Sequence, residues 1–142
     1  IIVVGRGSDG MFYVLADYSG KYSPDEWAKK AIEAYEVHSA DRIIGEVNNG
    51  GDMIGFTLKT IQKNIAYTAV HASRGKKMRA EPISALYEQT KVFHVTNLME
   101  LEEQMVSWTP ESPSSPDRLD ALVWGLTELS QKGKPNMRWL TL

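Results

Sequence analysis

Between Arg42 and Val70 the chain alternates strand and helix patterns, and this alternation constrains its fold more than any other feature. Arg42 to Val47 reads as a strand, and Ile65 to Val70 as another. Met53 to Ile61 between them reads as a helix, with Met53, Ile54, Leu58 and Ile61 inward. Strand, helix, strand at this spacing predicts two parallel strands joined by a right-handed crossover. Ahead of this unit, Ile1 to Val4 and Met11 to Tyr18 flank the turn-rich segment Gly5-Arg6-Gly7-Ser8-Asp9-Gly10, which predicts a β-hairpin. Ser23-Pro24-Asp25-Glu26 then announces a helix. Ser23 suits the N-cap, Pro24 the first helical position, and Glu26 the return bond of a capping box. Trp27, Ala28, Ala31, Ile32 and Tyr35 follow at helical spacing.

After Val70 comes a basic loop, His71-Ala72-Ser73-Arg74-Gly75-Lys76-Lys77-Met78-Arg79, and a helix through Ile83, Leu86 and Tyr87. Pro82 falls in the first turn of that helix or at a kink. Lys91 to Val95 reads as a short strand. Asn97 is placed to cap a helix from Leu98 to Val106, and Thr109 to Ser115 forms a Pro/Ser loop. Ser115-Pro116-Asp117 opens the last helix, which Gly133-Lys134-Pro135 stops. The predicted order is β-hairpin, α, β, α, β, α, β, α, α. It describes one α/β domain over residues 1–142 with a mixed sheet flanked by helices.

Composition narrows the chemistry. The 142 residues contain no cysteine, which removes disulfides, thiolate catalysis and cysteine-ligated zinc and fits a reducing compartment. No apolar run reaches membrane-spanning length and no signal-peptide pattern is present, so no membrane partner is expected. A net charge of −2 argues against a globally basic nucleic-acid binder and leaves room for a local basic patch. The opening Ile1-Ile2-Val3-Val4 has full strand hydrophobicity and no polar lead-in, so the chain is expected to be a fragment of a longer one.

Two carboxylates stand out. Glu46 closes an apolar strand just before Val47-Asn48-Asn49-Gly50-Gly51-Asp52, where the chain turns sharply. A charge at such a place is costly unless it is paired or holds a cation. Asp120 lies at the edge of the stripe formed by Leu119, Leu122, Val123, Leu126 and Leu129 on the last helix, whereas Asp117 lies nearly opposite that stripe. Two acids remote in sequence suit a hard metal if the fold brings them together. The plainer alternatives are a solvent-facing or arginine-paired Glu46 and a locally hydrogen-bonded Asp120. Asp52 and Asp117 are first-turn carboxylates favoured by the helix dipole, and both are candidates for hydrogen-bonding a metal-bound water. Arg74, Lys76, Lys77 and Arg79 lie just past the C-terminal end of a strand, where ligands bind in open α/β sheets. They read either as phosphate contacts to DNA or as a solvated charge run. His38, His71 and His94 have no metal-ligand spacing, no Gly-x-Ser-x-Gly elbow is present, and Trp108 and Trp124 read as core or boundary aromatics.

Three blocks in this order, Glu46-Val47-Asn48-Asn49-Gly50-Gly51-Asp52-Met53, His71-Ala72-Ser73-Arg74-Gly75-Lys76 and Ser115-Pro116-Asp117-Arg118-Leu119-Asp120-Ala121-Leu122, resemble the C-terminal nuclease domain of tailed-phage and prophage terminase large subunits. The resemblance runs from about Ile1 to Leu129. It implies an RNase H-like fold and a metal-dependent endonuclease that cuts concatemeric double-stranded DNA during packaging. Glu46 and Asp120 would then ligate Mg²⁺ or Mn²⁺ in a two-metal site. It also implies the portal and the small terminase subunit as partners of the intact protein, and the cytoplasm of a bacterial host as its location. The family's ATPase motor has no counterpart here, because no phosphate-binding Gly-x-x-x-x-Gly-Lys-Ser/Thr loop occurs. The family's first acidic residue sits on a strand before the hairpin, central in the sheet, and that strand would precede Ile1. The sheet is therefore expected to lack its first, Asp-bearing strand, the fragment to cut DNA poorly, and a second copy to fill the open position as a homo-oligomer. The rival readings are a non-catalytic module that binds DNA or a packaging partner, and another RNase H-like nuclease such as a junction resolvase.

Overall fold

The structure, a computed structural model, describes residues 1–47, 52–72, 75–109, 111–112, 116–132 and 134–142. In chain order the elements are β1 (Ile2–Arg6), β2 (Phe12–Asp17), α1 (Pro24–Val37), β3 (Arg42–Glu46), α2 (Met53–Ile61) and β4 (Tyr67–Val70). There follow α3 (Lys76–Glu88), β5 (Val92–His94), α4 (Met99–Ser107), α5 (Asp117–Lys132) and β6 (Arg138–Thr141). The strands form one mixed sheet in the order β4-β3-β6-β1-β2-β5. Helices cover both of its faces, giving the α/β, RNase H-like arrangement expected from the sequence.

Strand alternation divides the interior in two. Ile2, Val4, Ile44 and Trp139 point to the face covered by α3, α4 and α5, where Ile83, Leu101, Leu122 and Leu126 meet them. Val3, Ile43 and Leu140 point to the opposite face, against Ala28, Ala31 and Ile32 of α1 and Leu58 of α2. β1 and β2 pair antiparallel, with a register shift between Val3 and Val4. Their connection turns at Gly10, whose φ of +82° needs a residue without a Cβ. β3 and β4 run parallel, with Glu46 opposite Val70, as the strand-helix-strand pattern requires.

The capping box of α1 is complete. Glu26 N–H donates to Ser23 Oγ at 3.4 Å, and Ser23 N–H donates to Glu26 Oε2 at 2.8 Å. Replacing Ser23 with alanine should cost about 1 kcal/mol, read as a lower urea midpoint with an unchanged slope.

Four expectations need correction. First, the sheet has no open position. β6, to which the sequence patterns assigned nothing, lies between the hairpin and β3, antiparallel to β1 and parallel to β3. Trp139, Leu140 and Thr141 are fully buried or nearly so. Leu142 N–H donates to Ile44 O at 2.9 Å, and Arg6 N–H to Met137 O at 2.8 Å. With those backbone groups satisfied, a second copy has no gap there to enter as a strand. Second, Lys76, Lys77 and Arg79 belong to the first turn of α3 rather than to a loop, and Pro82 lies within that helix. Third, Asn97 does not cap α4; the N-cap is Leu98, whose N–H donates to Glu102 Oε1 at 3.4 Å. Fourth, Met53 and Ile61 are exposed on α2, whereas Leu58 is buried as expected, together with Gly55.

α5 is more deeply enclosed than a one-sided stripe, because it packs against β1, β6, α3 and α4 together. Leu119 and Ala121 to Leu126 are all buried or glycine. Gly125 permits the closest approach. A Cβ there would lie 2.5 Å from Thr141 Oγ1 and 3.0 Å from Val4 Cγ2. Gly125→Ala should therefore lower the melting temperature even though alanine is the better helix former, because overpacking costs about 1–3 kcal/mol and the propensity gain is about 1.

Candidate functional site

Glu46 ends β3 two residues after Ile44, so it projects toward the face that α3 and α5 cover. There its Oε2 accepts a 2.8 Å hydrogen bond from the indole Nε1 of Trp124 on α5. Asp120 lies one turn earlier on the same face of that helix. From the first turn of α3 come Lys76 and Arg79, three residues apart and hence also on one face. The structure thus brings Glu46 and Asp120 to one place, with Arg79 between them. Its Nη1 is 3.9 Å from Glu46 Oε1, and its Nη2 is 4.0 Å from Asp120 Oδ1. Lys76 Nζ pairs with Asp120 Oδ2.

Arg79 is not a surface cation. Its side chain is only 7% exposed, and its Cζ lies 4.4 Å from the centroid of the Trp124 ring. Stacking and two carboxylates together compensate the burial of its charge. One acid and one cation therefore share one indole. Trp124 holds Glu46 through its ring edge and Arg79 through its ring face.

The other candidates fall elsewhere. Asp52 is the N-cap of α2: its Oδ1 accepts from Gly55 N–H at 2.7 Å and from Tyr67 O–H at 2.8 Å. Burial and that bond push the Tyr67 phenol well above the usual tyrosine range, so it stays a donor to Asp52. Asp117 is exposed and lines a separate cleft with Ile1, Tyr22 and Trp27. Neither is placed to orient a water at the Glu46–Asp120 pair. Lys77 faces a different groove, between α3, α4 and α5, with Met105 and Trp108. Arg74 lies outside the described residues, as do Asn48, Asn49, Gly50 and Gly51. His94 is structural. Its Nε2 meets Tyr87 Oη and its Nδ1 meets Glu102 Oε1, each at 2.8 Å. That relay ties β5 to α3 and α4, and it holds the Glu102 carboxyl below the usual glutamate range.

The two carboxylates are donors of the type a hard divalent ion takes. Two carboxylates already face a common positive charge, and Mg²⁺ or Mn²⁺ needs only one or two protein carboxylates, with water and phosphate oxygens completing the shell. Among the described residues no cluster of three or more acidic, histidine or cysteine side chains is positioned to hold a metal. The strand beside β3 contributes Thr141, a hydroxyl without a partner among the described residues, rather than a third carboxylate.

Sequence reasoning missed Trp124 as a member of the site. The signal was its position four residues after Asp120, which puts both on one helix face. It also missed that Arg79 is buried, because the helix start at Lys76 carries no side-chain cap to mark it. No described helix is long and apolar enough to cross a membrane.

Residues 1–129 match the family model described as the terminase RNaseH-like domain. No curated protein and no solved structure matches the chain. The match covers the sheet from β1 to β5, Glu46, the basic first turn of α3 and most of α5. The chain belongs to the terminase RNaseH-like domain family.

Proposed function

We propose that this domain is the nuclease of a DNA-packaging terminase and hydrolyses phosphodiester bonds of double-stranded DNA with divalent ions held by Glu46 and Asp120. The observation that carries the reading is the convergence of these two acids, from β3 and α5, on one buried positive charge. A bound Mg²⁺ or Mn²⁺ supplies charge stabilisation for the leaving oxygen and acidifies the attacking water. The protein's own groups do the rest. Trp124 fixes the rotamer of Glu46 through its indole N–H, which pre-sets one carboxylate oxygen and leaves Oε1 facing the site. Lys76 and Arg79 draw the phosphate backbone to the end of β3 without reading its sequence, and Lys77 and Arg74 are further phosphate contacts in the same proposal. Endonucleolytic cutting of concatemers, and docking to a portal and a small subunit, belong to the same proposal for the intact protein.

A second reading, DNA binding without cleavage, draws on the same site, since Lys76 and Arg79 already neutralise both carboxylates. Supercoiled plasmid incubated with the protein and Mn²⁺, or with EDTA, separates the two. Nicking or linearisation only with Mn²⁺ supports the nuclease. Gel retardation that weakens with salt, ignores Mn²⁺ and leaves the plasmid intact supports the binding module.

A further inference from the structure

Arg79 is the part of the site that a pair of metal-holding carboxylates does not require. A guanidinium 3.9 Å from one acid and 4.0 Å from the other lies where a divalent ion would feel it most strongly. Both distances are too long for good hydrogen bonds, so Arg79 compensates charge there without spending its donors. Its Nε and Nη1 are buried and have no hydrogen-bond partner among the described residues. Buried donors are rarely left unmade, because each carries its full desolvation cost. Arg79 lines a cleft of about 330 Å³ with His71, Trp124, Thr127 and Glu128, and Thr127 Oγ1 is likewise buried and without a partner among the described residues. A guanidinium with unmade N–H donors is suited to phosphate oxygens.

We propose that Arg79 couples loading of the divalent ion to binding of DNA. Without DNA its charge stands between Glu46 and Asp120 and holds a divalent ion off. A backbone phosphate in the cleft pairs with the guanidinium and neutralises it, so the ion binds more tightly beside it. Trp124 keeps the guanidinium plane in place in both states. The inference rests on the reading of Glu46 and Asp120 as the ion-holding pair. By linkage, DNA must raise ion affinity by the same factor that the ion raises DNA affinity.

The test counts free Mn²⁺ by electron paramagnetic resonance with the whole chain, so it needs no turnover. Relative to wild type, Arg79→Met should bind Mn²⁺ at least about fivefold more tightly without DNA, and bind a short duplex in EDTA at least about fivefold more weakly. Arg79→Lys, which keeps the charge, should leave Mn²⁺ affinity near the wild-type value. Unchanged or weaker Mn²⁺ binding by a folded Arg79→Met protein overturns the proposal. If that variant does not fold, wild type decides. Its Mn²⁺ affinity should rise at least about fivefold when the short duplex is added, after subtraction of ions bound by DNA alone, and no rise overturns the proposal. Absence of Mn²⁺ binding by wild type and Arg79→Met, with and without DNA, defeats the ion-holding reading itself and this inference with it.

Discussion

Truncating Trp139 to alanine should remove about 3–5 kcal/mol of stability, a large share of the roughly 5–15 kcal/mol typical of a domain. Trp139 is 2% exposed and sits on β6, opposite Val4 of β1 on one side and Arg42 of β3 on the other. The Arg42 guanidinium lies 5.7 Å from its ring centroid. The change empties a space in the middle of the sheet, where neighbours held by strand pairing on both sides have little room to close in. Urea denaturation followed by circular dichroism measures the effect, with Trp139→Phe as the milder comparison. A Trp139→Ala protein as stable as wild type would mean that β6 is not packed between β1 and β3.

Glu46→Gln should lower Mn²⁺ affinity by about 100-fold or more, since loss of a mere outer-shell partner already costs about 10–100-fold. Metal-dependent plasmid cleavage should be lost with it. The glutamine keeps the shape of the side chain and an oxygen for the Trp124 N–H, so the change isolates the charge. Asp120→Asn should act in the same direction. Asp52→Asn and Asp117→Asn should leave Mn²⁺ binding within about twofold, because the structure gives one to the cap of α2 and the other to a separate cleft. Calorimetric titration of the four variants checks the set. Equal losses in all four would show that general acidity, and not the Glu46–Asp120 pair, attracts the ion. Melting curves must accompany the titration, because removing the Glu46 charge leaves Arg79 and Lys76 facing Asp120 alone.

The parts of this fold that local chemistry dictates were legible before any coordinates. Ser23 and Glu26 announce α1, Gly10 permits the hairpin turn, and the apolar runs on either side of Met53–Ile61 require parallel strands. Glu46 and Asp120 stood out singly, from the end of an apolar strand and the edge of the stripe in α5, and only the family resemblance paired them. What could not be read depends on distant packing. β6 is four residues long and follows a helix-stop signal, so it is too short to show a period. Met53 and Ile61 are apolar but stand on the outer side of a helix that sets Ile54, Gly55 and Leu58 against its neighbours. The burial of Arg79 depends on Trp124, forty-five positions later, lying beneath its guanidinium.

The place of β6 also bears on how the chain folds. β4 and β3 form one pairing unit and β1, β2 and β5 another, and β6 alone joins them. Its partner in β1 is almost a full chain length away, with Ile2 opposite Thr141. Each half can assemble from contacts closer in sequence, but their union waits on the longest loop closure the molecule makes. Refolding should therefore be slow for a domain of this size, and the halves should gather early and zip together late, with the last strand of the sequence acting as the seam.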